Sequence, residues 1–251
     1  MPKAMIDYEH SKNRHTFSGP RVALKEMLGD KVVSSLLDVG CGTGTWLRAA
    51  KELDIPDVYG IEGVDVPEEQ MHVPKMNIYR QDLSQSWDLH RRFDVVLCLE
   101  VAEHLDAVYA PVLLDALVRH SDLIFFSAAC PKQGGQHHVN GQWPVYWQQL
   151  FNERGFMCSD DPRWRIWEDD HIEPWYRQNL FVAQRNTEFA GTEPRIKPVI
   201  HPEMIHSISR VIAATTFDEH AAQIERGWMP VGWYFKVPIV ALREKFKRHM
   251  S

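Results

Sequence analysis

The stretch Leu36-Leu37-Asp38-Val39-Gly40-Cys41-Gly42-Thr43-Gly44-Thr45 decides the fold of this 251-residue chain. An apolar run ends in an acid and three glycines at alternate positions, and residues 46–51 then read as a helix. A strand that turns through glycines into a helix brings bare backbone N–H groups close to a ligand, because no Cβ stands in the way. The three glycines do not have the G-x-G-x-x-G spacing of dinucleotide sites. The stretch therefore predicts a different kind of ligand site at the end of the first strand.

The composition is that of an ordinary globular protein with a mildly acidic net charge of -6. This charge argues against broad tracking of nucleic-acid phosphates. Apolar runs are too short to span a bilayer, and the first residues lack the hydrophobic region of a signal peptide. The four cysteines have no C-x-x-C spacing, which favours reduced thiols in a cytoplasmic protein.

Predicted strands alternate with helical segments after the glycine turn. Residues 58–63, 78–83, 93–100 and 122–128 read as strands, and 164–167 and 180–183 read as the closing strands. Helical periodicity or a first-turn proline predicts helices at 21–29, 112–118 and 144–151, with further helix at 201–216, whereas 169–176 reads as a loop. This alternation predicts an α/β fold with a doubly wound parallel sheet, in which ligands bind beyond the carboxyl ends of the strands.

Acidic residues stand at the predicted ends of neighbouring strands. Glu62 lies about twenty residues after the glycine turn, where nucleotide-binding α/β folds place an acid that accepts hydrogen bonds from ribose hydroxyls. Asp38, Glu62, Asp82, Glu100 and the polar loop 131–143 are expected to converge on one cleft.

Asp38 and the glycines at 40, 42 and 44 resemble the D-x-G-x-G-x-G signature of class I S-adenosylmethionine (SAM) methyltransferases. The resemblance implies a Rossmann-like methyltransferase fold with a mostly parallel seven-stranded sheet that closes in an antiparallel hairpin. It further implies that Asp82 bonds the adenine amino group, with Leu83 against the ring. The implied SAM-binding residues are Asp38, Gly40, Cys41, Gly42, Gly44, Glu62, Gly63, Asp82, Leu83 and Glu100.

The segment Glu100-Val101-Ala102-Glu103-His104-Leu105 places two carboxylates and an imidazole on one face if it forms a helical turn. It resembles the E-V-x-E-H-L segment of ubiquinone-biosynthesis O-methyltransferases and of small-RNA 2′-O-methyltransferases. In the second group this segment and a later histidine hold a divalent cation. The resemblance thus implies Mg²⁺ or another divalent cation held by Glu100, Glu103, His104 and a later histidine, His138 or its neighbour His137.

A histidine base is the alternative, because the same segment also occurs in methyltransferases without a known metal. His104, His137 or His138 would then take the acceptor's proton, beside Glu103. Aromatic and amide residues further along are candidates for acceptor binding: Trp143, Trp147, Trp164, Trp167, Trp175, Tyr176, Gln136, Asn140 and Gln142.

The resemblance implies a SAM-binding domain at 1–186, and the residues after it are expected to form a mainly helical extension at 187–251. Residues 1–34 would be either a cofactor lid, as the resemblance implies, or a solvated leader with one packing helix. The predicted reaction is SAM-dependent O-methylation of a small-molecule hydroxyl, with a saccharide or nucleotide-linked sugar favoured. RNA 2′-O-methylation and a non-catalytic SAM-binding module in a larger assembly are the alternatives. The extension, which ends in a basic amphipathic stretch at 241–249, leaves open a homodimer contact, an acceptor lid or a surface for an anionic partner or membrane.

Overall fold

A seven-stranded sheet forms the centre of the molecule. The structure is a computed structural model that describes residues 8–9 and 18–214. The strands lie in the order β3-β2-β1-β4-β5-β7-β6, parallel except for β7, which runs antiparallel to both β5 and β6. The predicted doubly wound, mostly parallel sheet is confirmed. The strands are β1 Ser35–Val39, β2 Asp57–Glu62, β3 Ile78–Arg80, β4 Val95–Leu99, β5 Leu123–Ser127, β6 Phe156–Ser159 and β7 Phe181–Arg185.

Helices cover both faces of this sheet. They are α1 Ser18–Leu28, α2 Thr45–Glu52, α3 Ala110–His120, α4 Pro144–Asn152, α5 Asp161–Ile166 and α6 Pro174–Asn179. All five residues of β4 are buried, with Val96 and Cys98 in the core beneath α3 and α4, and the alternate residues in the core beneath α1 and α2. A strand buried on both faces needs a continuous apolar run, which explains the sequence pattern at 93–100. Among the described residues, none of the helices has the length and apolar character needed to cross a membrane.

The region between the last two strands differs from the prediction. Residues 164–167 do not form a strand: α5 ends at Ile166, and the sixth strand is instead Phe156–Ser159. Pro162 suits the first turn of a helix, and the buried Arg163 donates to the carbonyl of Gln178 at 2.9 Å, which fixes the helix against the chain before β7. The predicted loop 169–176 is also partly wrong, because α6 begins at Pro174.

Residues 187–204, which we call the strap, are irregular but held firmly to the domain. The carboxylate of Glu193 accepts hydrogen bonds from the side-chain amides of Gln148 and Asn152 and from the backbone N–H of Cys158, at 2.6–3.1 Å. Ile196 is buried in the core. The strap therefore packs on the sheet domain along its length.

The first compact unit of the chain extends to Ser207, and a second begins at Ile208. A 3-10 turn at Pro202–Met204 leads into helix at 205–214, within the helical segment predicted for 201–216. The predicted division at residue 186 stays a prediction. The basic stretch at 241–249 and the proposed dimer contact lie outside the described residues.

Replacement of Glu193 by alanine is expected to destabilise the fold by about 2 kcal/mol, because hydrogen bonds to a charged group are lost and a backbone N–H is left unpaired. Urea unfolding followed by circular dichroism measures this change. The matched control is Glu188→Ala, an exposed acid in the same strap, which should leave the midpoint unchanged. Equal midpoints for the two variants would contradict the role given to Glu193.

Candidate active site

A cleft of about 1530 Å³ lies beyond the carboxyl ends of the parallel strands. The residues that follow β1, β2, β3 and β4 line it, together with the loop after β5 and the start of α6. Almost all of the predicted site residues meet here, namely Asp38, Gly40, Cys41, Gly42, Glu62, Gly63, Asp82, Leu83, Glu100, Glu103, His104, His137 and His138. The exception is Gly44, which does not line the cleft.

The glycine turn needs its glycines for backbone conformation and close packing. Gly40 has φ 75°, and a Cβ added there would lie 2.4 Å from a methyl group of Val101. Gly44 has φ 82° at the start of α2, and its Cβ would lie 2.7 Å from Val73. Both positions combine a left-handed conformation with a steric limit, so a larger residue would displace the turn. Gly44 therefore shapes the turn without facing the cleft.

The carboxylate of Glu62 is fixed by two backbone donors. Gly42 N–H donates to Oε2 at 2.7 Å and Val64 N–H donates to Oε1 at 2.9 Å. The residue is only 7% exposed, yet it lines the cleft. Because a carboxylate oxygen accepts more than one hydrogen bond, Glu62 keeps acceptor capacity for hydroxyl groups in the cleft.

Asp38 is buried and incompletely hydrogen-bonded. Its Oδ2 atom has no hydrogen-bond partner among the described residues. Burial, and to a lesser degree the charge of Glu62, raises the pKa of Asp38 to about 8. A buried acceptor without a partner is costly, so a ligand that brings an N–H donor or a positive charge would be stabilised there. SAM carries both, and the residues present thus fit this cofactor.

Asp82 is held in place beside Leu83 at the same cleft. Its Oδ1 accepts hydrogen bonds from the backbone N–H and the hydroxyl of Ser84, at 2.9 and 2.6 Å. Leu83 is 7% exposed and offers an apolar surface next to the carboxylate. The carboxylate of Asp82 is placed to accept a hydrogen bond from the edge of a planar ring, while Leu83 is placed to pack against the face of the ring.

Glu100 has a fixed conformation at the end of β4. Its φ is 55°, and its carboxylate accepts hydrogen bonds from the amides of Asn179 at 3.1 Å and Gln133 at 2.9 Å. Burial raises the pKa of Glu100 to about 7. The amide donors fix this side chain beside Glu103, whose carboxyl it contacts.

Three side chains of the predicted metal set lie together: Glu103, His104 and His138. Each offers one ligand atom, and these atoms lie within 4.8 Å of one another. The carbonyl of Glu103 accepts from the N–H groups of Val139 and Asn140, at 2.9 and 3.0 Å, which binds the 131–143 loop to the turn at 102–104. Glu100 and His137 fall outside this group, and the side chain of His137 is exposed.

Burial controls the protonation of all three groups. Burial, and then the neighbouring Glu100, raises the pKa of Glu103 well above its ordinary value, and neither of its oxygens has a hydrogen-bond partner among the described residues. Burial, and then His138, lowers the pKa of His104 to about 4. Burial also lowers the pKa of His138. Both imidazoles are therefore neutral at pH 7, so each has a nitrogen that accepts a proton or binds a metal.

The other predicted acceptor-binding residues separate into two sets. Trp175, Tyr176 and Gln136 line the cleft, whereas Trp147 is buried in the core against Phe126. The remaining candidates do not line the cleft: Trp143, Trp164, Trp167, Asn140 and Gln142.

The structure adds residues that the sequence patterns did not single out. Met204 of the strap lines the cleft and is 5% exposed. An ion pair between Arg177 and Glu203, at 2.8 Å, fixes the segment that carries Met204. Of the predicted lid at 1–34, residues 8–9 and 18–34 are described, and the ring of Tyr8 lies 5.0 Å from that of His104. Single polar or apolar residues of this kind have no periodic signal.

Comparison with known proteins places the fold in a family. The profile of a methyltransferase domain matches residues 12–185, and no curated protein matches the chain. Among solved structures, the methyltransferase domain of bacterial CtHen1-C has 14% identity and a TM-score of 0.51, covering 67% of this chain and 98% of that one. SAM-bound CalS10, an amino pentose methyltransferase from Micromonospora echinaspora, has 16% identity and a TM-score of 0.50, covering 70% and 94%.

The plantazolicin methyltransferase BpumL in complex with SAH (S-adenosylhomocysteine) has 16% identity and a TM-score of 0.48, covering 68% of this chain and 84% of that one. Identities at this level show the shared fold alone. The profile match covers more than half of the chain. The chain therefore belongs to the class I SAM-dependent methyltransferases.

Proposed function

We propose that this enzyme transfers the methyl group of SAM to a hydroxyl of a small molecule, with a saccharide or nucleotide-linked sugar as the favoured acceptor. The observation that carries the proposal is the group of Glu103, His104 and His138 in the cleft. A hydroxyl needs its proton removed or its pKa lowered before it attacks a methyl group, and this group offers the means for either.

The cofactor is assigned to the strand ends on the basis of their free hydrogen-bonding capacity. Glu62 would accept hydrogen bonds from the ribose hydroxyls, and Asp82 and Leu83 would contact the adenine. The unpartnered oxygen of Asp38 would contact the positively charged end of SAM. When bound, SAM supplies an electrophilic methyl group on a sulfonium. The remaining tasks of the protein are to orient the acceptor and to manage its proton.

A neutral imidazole would remove the proton of the acceptor hydroxyl directly. The lowered pKa values of His104 and His138 keep both rings unprotonated at neutral pH, so each ring has a nitrogen that can take a proton, but a pKa of about 4 makes His104 a weak base. As the pH falls, protonation removes this capacity first from the ring with the higher pKa. His104, at about 4, stays neutral through mildly acidic pH.

A divalent cation is the second device that fits these residues. The unpartnered carboxyl of Glu103 gains from either a proton or a cation, and two neutral imidazoles beside it complete a mixed oxygen and nitrogen donor set. One carboxylate and two imidazoles suit Mn²⁺ or another divalent transition-metal ion better than Mg²⁺, which prefers oxygen ligands, and such an ion would lower the pKa of a bound hydroxyl.

The walls of the cleft favour a small acceptor over a polyanion. Trp175 offers a flat face that suits the C–H face of a sugar, whereas Tyr176 is 3% exposed and the amide of Gln136 is hydrogen-bonded to the backbone of Glu9. Among the described lining residues, Arg80 is the one cationic side chain apart from histidine, and it is paired with Asp65. Even without Asp38, Glu100 and Glu103, whose pKa values burial raises, four acids line the same cleft: Glu62, Asp65, Asp82 and Asp106. Excess negative charge disfavours RNA phosphates there.

We expect EDTA to lower the rate of methyl transfer by about tenfold or more. Mg²⁺ or Mn²⁺ should restore the rate, because the ion would lower the pKa of the acceptor hydroxyl. The assay measures SAH release with a panel of sugars and nucleotide sugars. An unchanged rate would remove the metal and leave His104 or His138 as the base. Carbon NMR of a ¹³C-methyl product distinguishes methylation at oxygen from methylation at nitrogen, and an N-methyl product would overturn the proposal.

A further inference from the structure

We propose that Gln133 is a positioning residue of this site, which fixes the orientation and the tautomer of His138 while it anchors Glu100. The proposal rests on the proposed function, since it takes His138 to be a residue that meets the acceptor. Sequence patterns give Gln133 no role, because nothing in the glycine-rich loop distinguishes it from the other amides there, Gln136, Asn140 and Gln142.

The side-chain amide of Gln133 is buried and hydrogen-bonded at both of its atoms. Its Oε1 accepts from the N–H of Cys130 at 3.3 Å and from the amides of Gln178 and Asn179 at 3.2 and 2.9 Å. Its Nε2 donates to the carboxylate of Glu100 at 2.9 Å. Three donors on one atom and a carboxylate on the other define the orientation of the amide.

The backbone of Gln133 acts on His138. Nδ1 of His138 lies 2.9 Å from the carbonyl oxygen of Gln133. A carbonyl oxygen only accepts hydrogen bonds, so Nδ1 must carry the ring proton. In a neutral imidazole the other nitrogen, Nε2, then keeps the lone pair that takes a proton or binds a metal.

The far side of the His138 ring is fixed by a glycine. A Cβ added to Gly135 would lie 2.1 Å from Nε2 of His138, so the ring rests directly on the glycine backbone. The next residues, Val139 and Asn140, are bound to the carbonyl of Glu103. Gln133 and Gly135 therefore define the ring's position from two sides, and the following residues fix the loop to the site.

Gln133 thus connects Glu100 with His138. On one side its amide holds Glu100 at the end of β4, and on the other its carbonyl holds His138. Without the amide, Glu100 keeps the donor of Asn179, whereas Cys130 and Gln178 lose an acceptor. The loop would then be free to shift its carbonyl away from Nδ1.

Gln133→Met tests this inference in the full chain, because methionine keeps the length of the side chain and removes its hydrogen bonds. Nitrogen NMR of ¹⁵N-histidine-labelled protein reports which ring nitrogen carries the proton, and His138→Ala identifies the signal of His138. Gln142→Met is the matched control, since the amide of Gln142 donates to Asn140 in the same loop at 3.1 Å.

We expect wild type and Gln142→Met to show the Nδ1–H tautomer at His138, and Gln133→Met to lose it. With any acceptor that wild type methylates, kcat of Gln133→Met should fall about 10- to 100-fold, as for other residues that orient an active-site ligand, with the KM for the acceptor nearly unchanged. Retention of the tautomer and of kcat in Gln133→Met would overturn the inference.

The wild-type spectrum is decisive on its own if Gln133→Met does not fold: a proton on Nε2 of His138 would contradict the inference. Failure of the proposed function is distinguishable, because it would appear as absence of O-methylated product in wild type. The tautomer signal does not depend on turnover and would still decide the role of Gln133.

Discussion

Replacement of His138 by alanine is expected to lower kcat about 100- to 10,000-fold, the range found when a side chain that handles a proton is removed. The ring lies in the cleft beside Glu103 and His104, and burial keeps it neutral at pH 7. Alanine would remove both the proton acceptor and the metal-binding nitrogen. Initial rates of SAH release measure the change, whichever of the two devices operates.

Cofactor binding should survive this substitution, because His138 makes none of the contacts assigned to SAM. Calorimetry with SAH is expected to give a dissociation constant within about threefold of wild type, a difference below 1 kcal/mol. His171→Ala is the matched control, since His171 is an exposed histidine bonded to Asp169 away from the cleft. Wild-type kcat in His138→Ala, or an equal loss in His171→Ala, would contradict the role of His138.

Replacement of Glu62 by glutamine is expected to weaken SAH binding about 100-fold, which corresponds to about 2.8 kcal/mol. An amide in this position presents an NH₂ group to Gly42 or Val64, so one backbone donor loses its acceptor. An unpaired buried donor costs about 1–3 kcal/mol. The charged acceptor for the ribose hydroxyls is lost as well.

Asp65→Asn serves as the matched control for Glu62→Gln. Asp65 lines the same cleft and pairs with Arg80, but its side chain is 87% exposed, so its charge is largely screened by solvent. Calorimetry should show SAH binding close to wild type for Asp65→Asn. If the two variants bind SAH equally, Glu62 does not hold the cofactor's sugar.

The sequence predicted best where local backbone geometry leaves few choices. The glycines at 40 and 44 are required by positive φ values and by close packing on Val101 and Val73, so their spacing identifies the turn. Glu62 follows from the same geometry, because its carboxylate accepts from the turn at Gly42. Strands β1, β4 and β5 were predictable because parallel strands buried on both faces need continuous apolar runs.

The region after α4 shows why other predictions failed. Trp164 and Trp167 have aromatic side chains typical of strands, yet buried hydrogen bonds of Arg163 and a first-turn proline stabilise a helix there. Long-range contacts of this kind have no local pattern. For the same reason no local sequence pattern indicates Gln133 or Asn179, although both donate hydrogen bonds to the carboxylate of Glu100.

Electron density from crystals soaked with SAH tests the central claim most directly. The account predicts that the ribose hydroxyls lie within hydrogen-bonding distance of the Glu62 carboxylate, with the adenine beside Asp82 and Leu83. It further predicts the sulfur on the side of the cleft that holds Glu103, His104 and His138. SAH bound elsewhere, or bound here with its sulfur turned away from the two histidines, would contradict the account.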